Sequence, residues 1–260
     1  MKIEKIKILK NKAVIYLGKD NKLELDKDVY PNFYLYVGKE ISNKEIKEIK
    51  EQNEMASLNK YALNLRAKRL LSEYQLREKL YLKGASKPVV DKIIKNLKTY
   101  DLIDDNAFIL EHIEYYNSLN YGENKIKEKL MSKGIFSDKL DKINFPISIE
   151  KRKAKAIFNK LNNKYDKYNI SQKRNHIYNA YISNGFSGEI ASEMMNLIKE
   201  DNHKNELDKL KKDYDKTKIR LSRKYDKKEL KQKIIQSLLT KGYKLNDIIK
   251  VIERLTIKKQ

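Results

Sequence analysis

Few side chains in this sequence are of types that make or break covalent bonds. Cysteine is absent, which removes disulfides, thiolate zinc sites and thiol nucleophiles. The three histidines, His112, His176 and His203, lie in three separate stretches and read as surface or interface residues. No phosphate-binding glycine loop, no G-x-S-x-G elbow and no H-E-x-x-H pair occurs. Asp104-Asp105 is an adjacent acidic pair that could hold a magnesium ion. It has a simpler use at the start of a helix over 105–118, where carboxylates accept first-turn N–H bonds and favour the positive dipole end. The expectation is therefore no enzyme, no cofactor and no metal.

Charge is what remains. Lys and Arg total 58 against 36 Asp and Glu, a net charge of +22. A protein this basic tends to meet a polyanion, usually nucleic acid. The candidate contacts cluster. Lys68, Arg69, Arg77 and Lys79 form one group, and Lys125, Lys127 and Lys129 a second. The third is the dense run over 209–233, from which Arg220, Arg223 and Lys224 are taken. Taken singly, each reads better as part of a solvated helix face. Together they imply a basic stripe. Tyrosines such as Tyr115-Tyr116 could stack nucleobases, although most of the 18 tyrosines should be half-buried packing residues.

These groups need a scaffold, and composition says which kind. The 260 residues are 40% apolar, with only eight glycines and three prolines, which suits helices and a real core. No apolar run approaches the ~18 residues of a membrane span, and Met1-Lys2-Ile3-Glu4-Lys5 has no apolar signal core. A cytoplasmic monomer away from the membrane is expected. Short apolar stretches at 3–8, 14–17 and 23–25, separated by Lys10-Asn11-Lys12 and Gly18-Lys19-Asp20-Asn21, predict three short strands. The aromatic stretch 29–37 could be strand or helix. Ser42 and Glu45 then have capping-box form, and helical spacing follows through Ile46, Ile49, Leu58, Ala62 and Leu65.

An internal repeat organises the rest. Gly84, Gly134, Gly185 and Gly242 lie 50, 51 and 57 residues apart. Four residues before them stand Leu80, Leu130, Tyr181 and Leu238, and eight before stand Leu76, Ile126, Ile177 and Ile234. Nine after stand Ile93, Ile143, Met194 and Val251; thirteen after stand Leu97, Ile198 and Leu255. The pattern predicts a helix with an apolar stripe, a left-handed glycine at its C-terminal end and a second helix capped by Ser86, Ser137 or Ser187. A third helix fills each period, as at 105–118, 148–165 and 203–223. The predicted fold is mainly α, an elongated array of tandem three-helix repeats with a small N-terminal β-rich cap. Its divisions are the cap 1–41, connecting helices 42–71, repeat 1 over 72–120, repeat 2 over 121–168, repeat 3 over 169–224 and a partial repeat 4 over 225–260.

Short motifs within these units resemble the RecX family. Ala62-Leu63, Arg66, Arg69, Ser72-Glu73 and Leu76-Arg77-Glu78-Lys79-Leu80 resemble its first repeat, continuing through Lys83-Gly84 and Leu102-Ile103-Asp104-Asp105. Tyr121-Gly122, Ile126, Leu130 and Lys133-Gly134-Ile135 are similar to its second repeat, and Gly185-Phe186-Ser187 to its third. The N-terminal β segment and extra C-terminal repeat are similar to the longer Gram-positive form. Two departures stand out: no basic residue precedes Ser72, and Asn184 replaces the usual Lys or Arg before Gly185. The resemblance implies a negative regulator of the RecA recombinase. It would bind along the groove of the RecA–single-stranded-DNA filament, with weak duplex binding besides. It would limit filament growth, strand exchange, ATP hydrolysis and coprotease activity. The alternative is a DNA-binding helical repeat protein that acts without a recombinase.

Overall fold

The computed structural model describes residues 1–18, 21–199 and 202–257, with side chains at all of these except 137, 227, 228, 256 and 257. Strands β1 (Lys5–Ile8), β2 (Lys12–Tyr16) and β3 (Lys22–Asp26) form an antiparallel meander in that order. The register pairs Ile6 with Ile15 and Ile15 with Leu23. Strand alternation then puts Ile15, Leu23 and Leu25 on one face, in a core shared with Ile3, Leu35, Ile41 and Ile49. The predicted turn at 18–21 falls partly on residues 19 and 20, outside the described set. The aromatic stretch forms neither strand nor α-helix. Pro31 cannot donate to a ladder, and Tyr30–Phe33 makes one 3-10 turn instead.

Helix α1 (Asn43–Lys68) starts on the predicted capping box. Glu45 N–H donates to Ser42 Oγ at 3.1 Å, and Ser42 N–H donates to Glu45 Oε2 at 2.8 Å. No Gly or Pro interrupts residues 43–68, so the expected connecting helices are one 26-residue helix. Lys60 ties it to the sheet through Asp26 and Asp28, at 3.3 and 2.6 Å.

The helices that follow come as glycine-joined pairs separated by long helices. They are α2 (Glu73–Leu82), α3 (Lys87–Thr99), α4 (Asp105–Ser118), α5 (Glu123–Met131), α6 (Ser137–Leu140), α7 (Ile147–Lys164), α8 (Ile170–Ser183), α9 (Gly188–Met195), α10 (His203–Leu221), α11 (Lys227–Thr240) and α12 (Leu245–Ile257). Gly84, Gly134, Gly185 and Gly242 sit at φ +84°, +81°, +89° and +90°, the left-handed ends the spacing predicts. After α2, Gly84 N–H bonds Tyr81 C=O at 2.9 Å and Ala85 N–H bonds Leu80 C=O at 3.1 Å. The same two bonds recur after α8 and α11. The residue after each glycine, Ala85, Ile135, Phe186 or Tyr243, is buried, which closes the turn with an apolar contact.

Two expectations are corrected. Helix α6 has only four residues, so Ile143 sits in irregular chain rather than on a helical stripe. Pro146 holds Phe145 out of the helical region and then caps α7. Ser86 occupies its N-cap position without a side-chain bond; Pro88 at the second helical position offers no N–H, and the third-position N–H that Ser187 and Ser72 use is not engaged by Ser86. Ser187 does cap, accepting from Ile190 N–H at 3.3 Å; the Ser137 side chain lies outside the described set. The buried clusters show how the helices group. Each of three buried clusters joins a long helix to the pair that follows it. Leu58 and Ala62 of α1 pack with Leu76, Leu80, Val90 and Ile94. Ala154 of α7 packs with Ile177, Tyr181 and Met194, and Leu210 and Tyr214 of α10 with Ile234, Leu238 and Val251. Helices α11 and α12 thus close their core on α10.

The chain forms two compact units by backbone proximity, one of residues 1–111 with 132–136, the other of residues 112–131 with 137 onward.

Candidate nucleic-acid interface

Helices α2 and α5 align residue for residue, and this decides the state of several candidate cations. Arg77 Nε meets Glu73 Oε1 at 2.7 Å, one turn back, and its Nη1 meets Asp91 at 2.5 Å. Burial works against the Arg77 charge, but the two carboxylates outweigh it and raise its pKa. Lys127 repeats the pairing with Glu123 at 2.6 Å, and Lys125 meets Glu128 at 2.8 Å. Arg77, Lys125 and Lys127 thus hold local ion pairs. Lys68 and Arg69 end α1 exposed, and Arg223 and Lys224 stand exposed in the turn after α10. Together with half-buried Lys79, these four form no ion pair among the described residues. Arg220 donates to Ser237 Oγ at 3.3 Å.

Lys129 lies over two rings, 5.7 Å from the centroid of Tyr116 and 5.5 Å from that of Tyr121. Tyr116 is buried against His112, while its neighbour Tyr115 is exposed. Of the sequence-predicted stacking pair, Tyr115 alone is open to a base. His176 stacks on Tyr165 at 5.2 Å, and exposed His203 stands 3.8 Å from Asp247.

The sequence reading missed the polar joints between successive pairs. Ser72, the N-cap of α2, accepts from Gln75 N–H and donates its hydroxyl to the carbonyl of Lys133 at 2.6 Å. Asn169, the N-cap of α8, accepts from Gln172 N–H and donates its amide to the carbonyl of Lys241 at 2.9 Å. Gly122 has no side chain for this, and its backbone N–H donates to the carbonyl of Asn184 at 2.8 Å. Each joint therefore runs from a first-helix start to the residue before the next turn glycine.

A second relay runs along the chain. Asp105 accepts from Glu73 N–H at 2.9 Å, Glu150 from Glu123 N–H at 3.1 Å and Glu206 from Ile170 N–H at 3.2 Å. An acid in the first turn or first few residues of a long helix caps the first helix of the preceding pair. The Asp104-Asp105 pair is divided accordingly. Asp104 caps its own helix through Asn106 N–H at 2.7 Å, and Asp105 caps α2. Glu150 is also buried beside Lys153, 2.5 Å away, whose ammonium donates to Asn117 Oδ1 and the Tyr121 carbonyl, each at 2.7 Å. That network compensates the desolvation of both charges. The sequence signal for the relay is an acid 27 to 36 residues beyond each first-helix start.

Among the described residues no group of three or more His, Asp or Glu is arranged to hold a metal, and no helix is long and apolar enough to cross a membrane. The class these features define is a helical protein of glycine-turned pairs, joined by polar bonds, that carries exposed cations outside its ion pairs. A scan against protein-family models finds no match. The chain is 31% identical over 252 residues to regulatory protein RecX of Streptococcus pyogenes serotype M3, spanning 95% of this chain and 97% of that one. It is 30% identical over 258 residues to regulatory protein RecX of Streptococcus agalactiae serotype III, with the same coverage. Among solved structures, a crystal structure of regulatory protein RecX superposes with a TM-score of 0.60 at 24% identity, over 76% of this chain and 99% of that one. RecX from Lactobacillus salivarius gives 0.53 at 23% identity, over 56% of this chain and 99% of that one. The chain belongs to the RecX family of regulatory proteins.

Proposed function

We propose that the protein is a negative regulator of the RecA recombinase that binds along the RecA–single-stranded-DNA filament. The observation that carries this is the nearly full-length relationship to regulatory RecX proteins. The charge of +22 and the open cations Lys68, Arg69, Lys79, Arg223 and Lys224 support a partner that is itself a polyanion. Regulation then needs occupancy and no bond-breaking step. Successive weak contacts, linked in one chain, bind more tightly than any one alone. A bound chain limits filament growth, strand exchange and ATP hydrolysis by spanning protomers. The protein works as a monomer in the cytoplasm.

Sedimentation of preformed RecA–DNA filaments with the protein tests the reading. It predicts co-pelleting with filaments beyond what the same DNA carries down without RecA. Equal co-pelleting with bare DNA would favour a DNA-binding protein that acts without a recombinase.

A further inference from the structure

The geometry points to a phosphodiester-binding seat in the cleft between the α7–α8 turn and α10, with a nucleic-acid single strand as its ligand. The cleft holds about 400 Å³ and is lined by Lys167, Tyr168 and Gln172 on one side and by Lys209, Lys212 and Lys216 on the other. This seat rests on the reading that the protein meets nucleic acid, and it adds a site outside the ten candidate cations.

Helical spacing explains why the lysines converge. Positions i, i+3 and i+7 share a face, which places Lys209, Lys212 and Lys216 in a row along about 10 Å of helix axis. The other side of α10 is fixed by burial of Leu210, Tyr214 and Thr217, so the row is held toward the cleft. Acid is present but engaged. Asp213 also lines the cleft, yet it accepts from the Tyr243 hydroxyl at 3.0 Å and pairs with Lys241 at 3.0 Å. Glu206 caps α8 and stands 3.5 Å from Lys209. Lys212 and Lys216 are exposed and form no ion pair among the described residues. Lys167 lies 5.2 Å from the Tyr168 ring centroid, which keeps its ammonium on the opposite wall. A row of cations this long matches successive phosphates better than one isolated anion. Single-strand binders track the backbone with a basic groove of this kind.

The test is fluorescence anisotropy of labelled oligo(dT), without recombinase, over a range of salt. The variants are K212E/K216E and K212Q/K216Q. The control is K44E/K47E on exposed lysines of α1, which changes net charge as K212E/K216E does. The seat predicts roughly tenfold weaker binding for K212E/K216E than for the control. It also predicts a log–log salt slope shallower by about 1.4, at about 0.7 per lost phosphate contact. K212Q/K216Q should move both in the same direction, which covers any folding defect in the glutamate variant. Equal affinity and slope in the control and both lysine variants would overturn the seat. A RecA ATPase assay separates the two readings. Full inhibition by the wild type alongside unchanged oligo(dT) binding by the lysine variants would sink the seat and leave the regulator standing. Weakened oligo(dT) binding by the variants with no inhibition by the wild type would establish the seat and sink the regulator.

Discussion

Gly84 and Gly185 share a left-handed backbone but not a neighbourhood. A Cβ on Gly84 meets nothing within 4 Å, whereas one on Gly185 would stand 2.2 Å from Lys125 N. The conformational penalty for a non-glycine residue is about 1–2 kcal/mol at either site; at Gly185 a backbone clash is added. Gly84→Ala should therefore lower the melting temperature modestly and Gly185→Ala severely, read by thermal denaturation. Equal losses would mean that the joint at Gly185 is not close-packed. Glu73 gives a pH-dependent counterpart. Burial opposes its charge, but Lys98 and Arg77 outweigh burial and hold its carboxyl below the ordinary 4.5. A depressed folded pKa adds stability above the unfolded value, and that stability is lost as pH falls through the folded value. Thermal melts should show wild type above Glu73→Gln at pH 7, with the gap closing as pH falls below the ordinary 4.5 and through the lowered folded value. A gap that stays constant with pH would show that the pairs contribute nothing through ionisation.

At the scale of elements, the serines separate real caps from nominal ones. Ser72 is buried, caps α2 and bonds Lys133, whereas Ser86 makes no side-chain cap bond. Ser72→Ala should cost about 1 kcal/mol or more and Ser86→Ala only a few tenths; denaturant titration checks the order, and the reverse order would refute the joint. The sequence exposed whatever is local and periodic. The box at Ser42 and Glu45, the three strands and the four left-handed glycines each depend on residues within one turn or hairpin. It hid what depends on partners 27 to 72 residues away. The cap from Asp105 to α2, the bond from Asn169 to Lys241 and the bonds from buried Lys153 to Asn117 and Tyr121 have no periodic signature. Glycines mark where a pair turns but not which long helix covers it. Ala85, Ile135, Phe186 and Tyr243 were a fifth matched offset, legible in the sequence as an apolar residue after each glycine. Of the candidate interface, residue type was legible and engagement was not: Arg77 and Lys79 look alike until Glu73 and Asp91 close on one of them.

At the scale of the whole molecule, the proposed function rests on charge and linkage. Reversing Lys68, Arg69, Lys79, Arg223 and Lys224 should weaken binding to single-stranded DNA and flatten its salt dependence while leaving the melting temperature nearly unchanged. Reversing Arg77, Lys125 and Lys127 should lower the melting temperature, since each breaks a local pair. A chain ending at residue 202 loses the α10–α12 core and the Glu206 cap on α8, so it should inhibit less through lost linkage and should melt earlier in its C-terminal portion. The central claim is regulation of a recombinase filament. It is tested most directly by titrating the protein into the single-stranded-DNA-dependent ATPase of RecA from the same organism. The account predicts inhibition that saturates below one chain per RecA protomer and weakens when the five open cations are reversed. ATP hydrolysis unchanged at stoichiometric protein, with the protein folded and the filament formed, would contradict it.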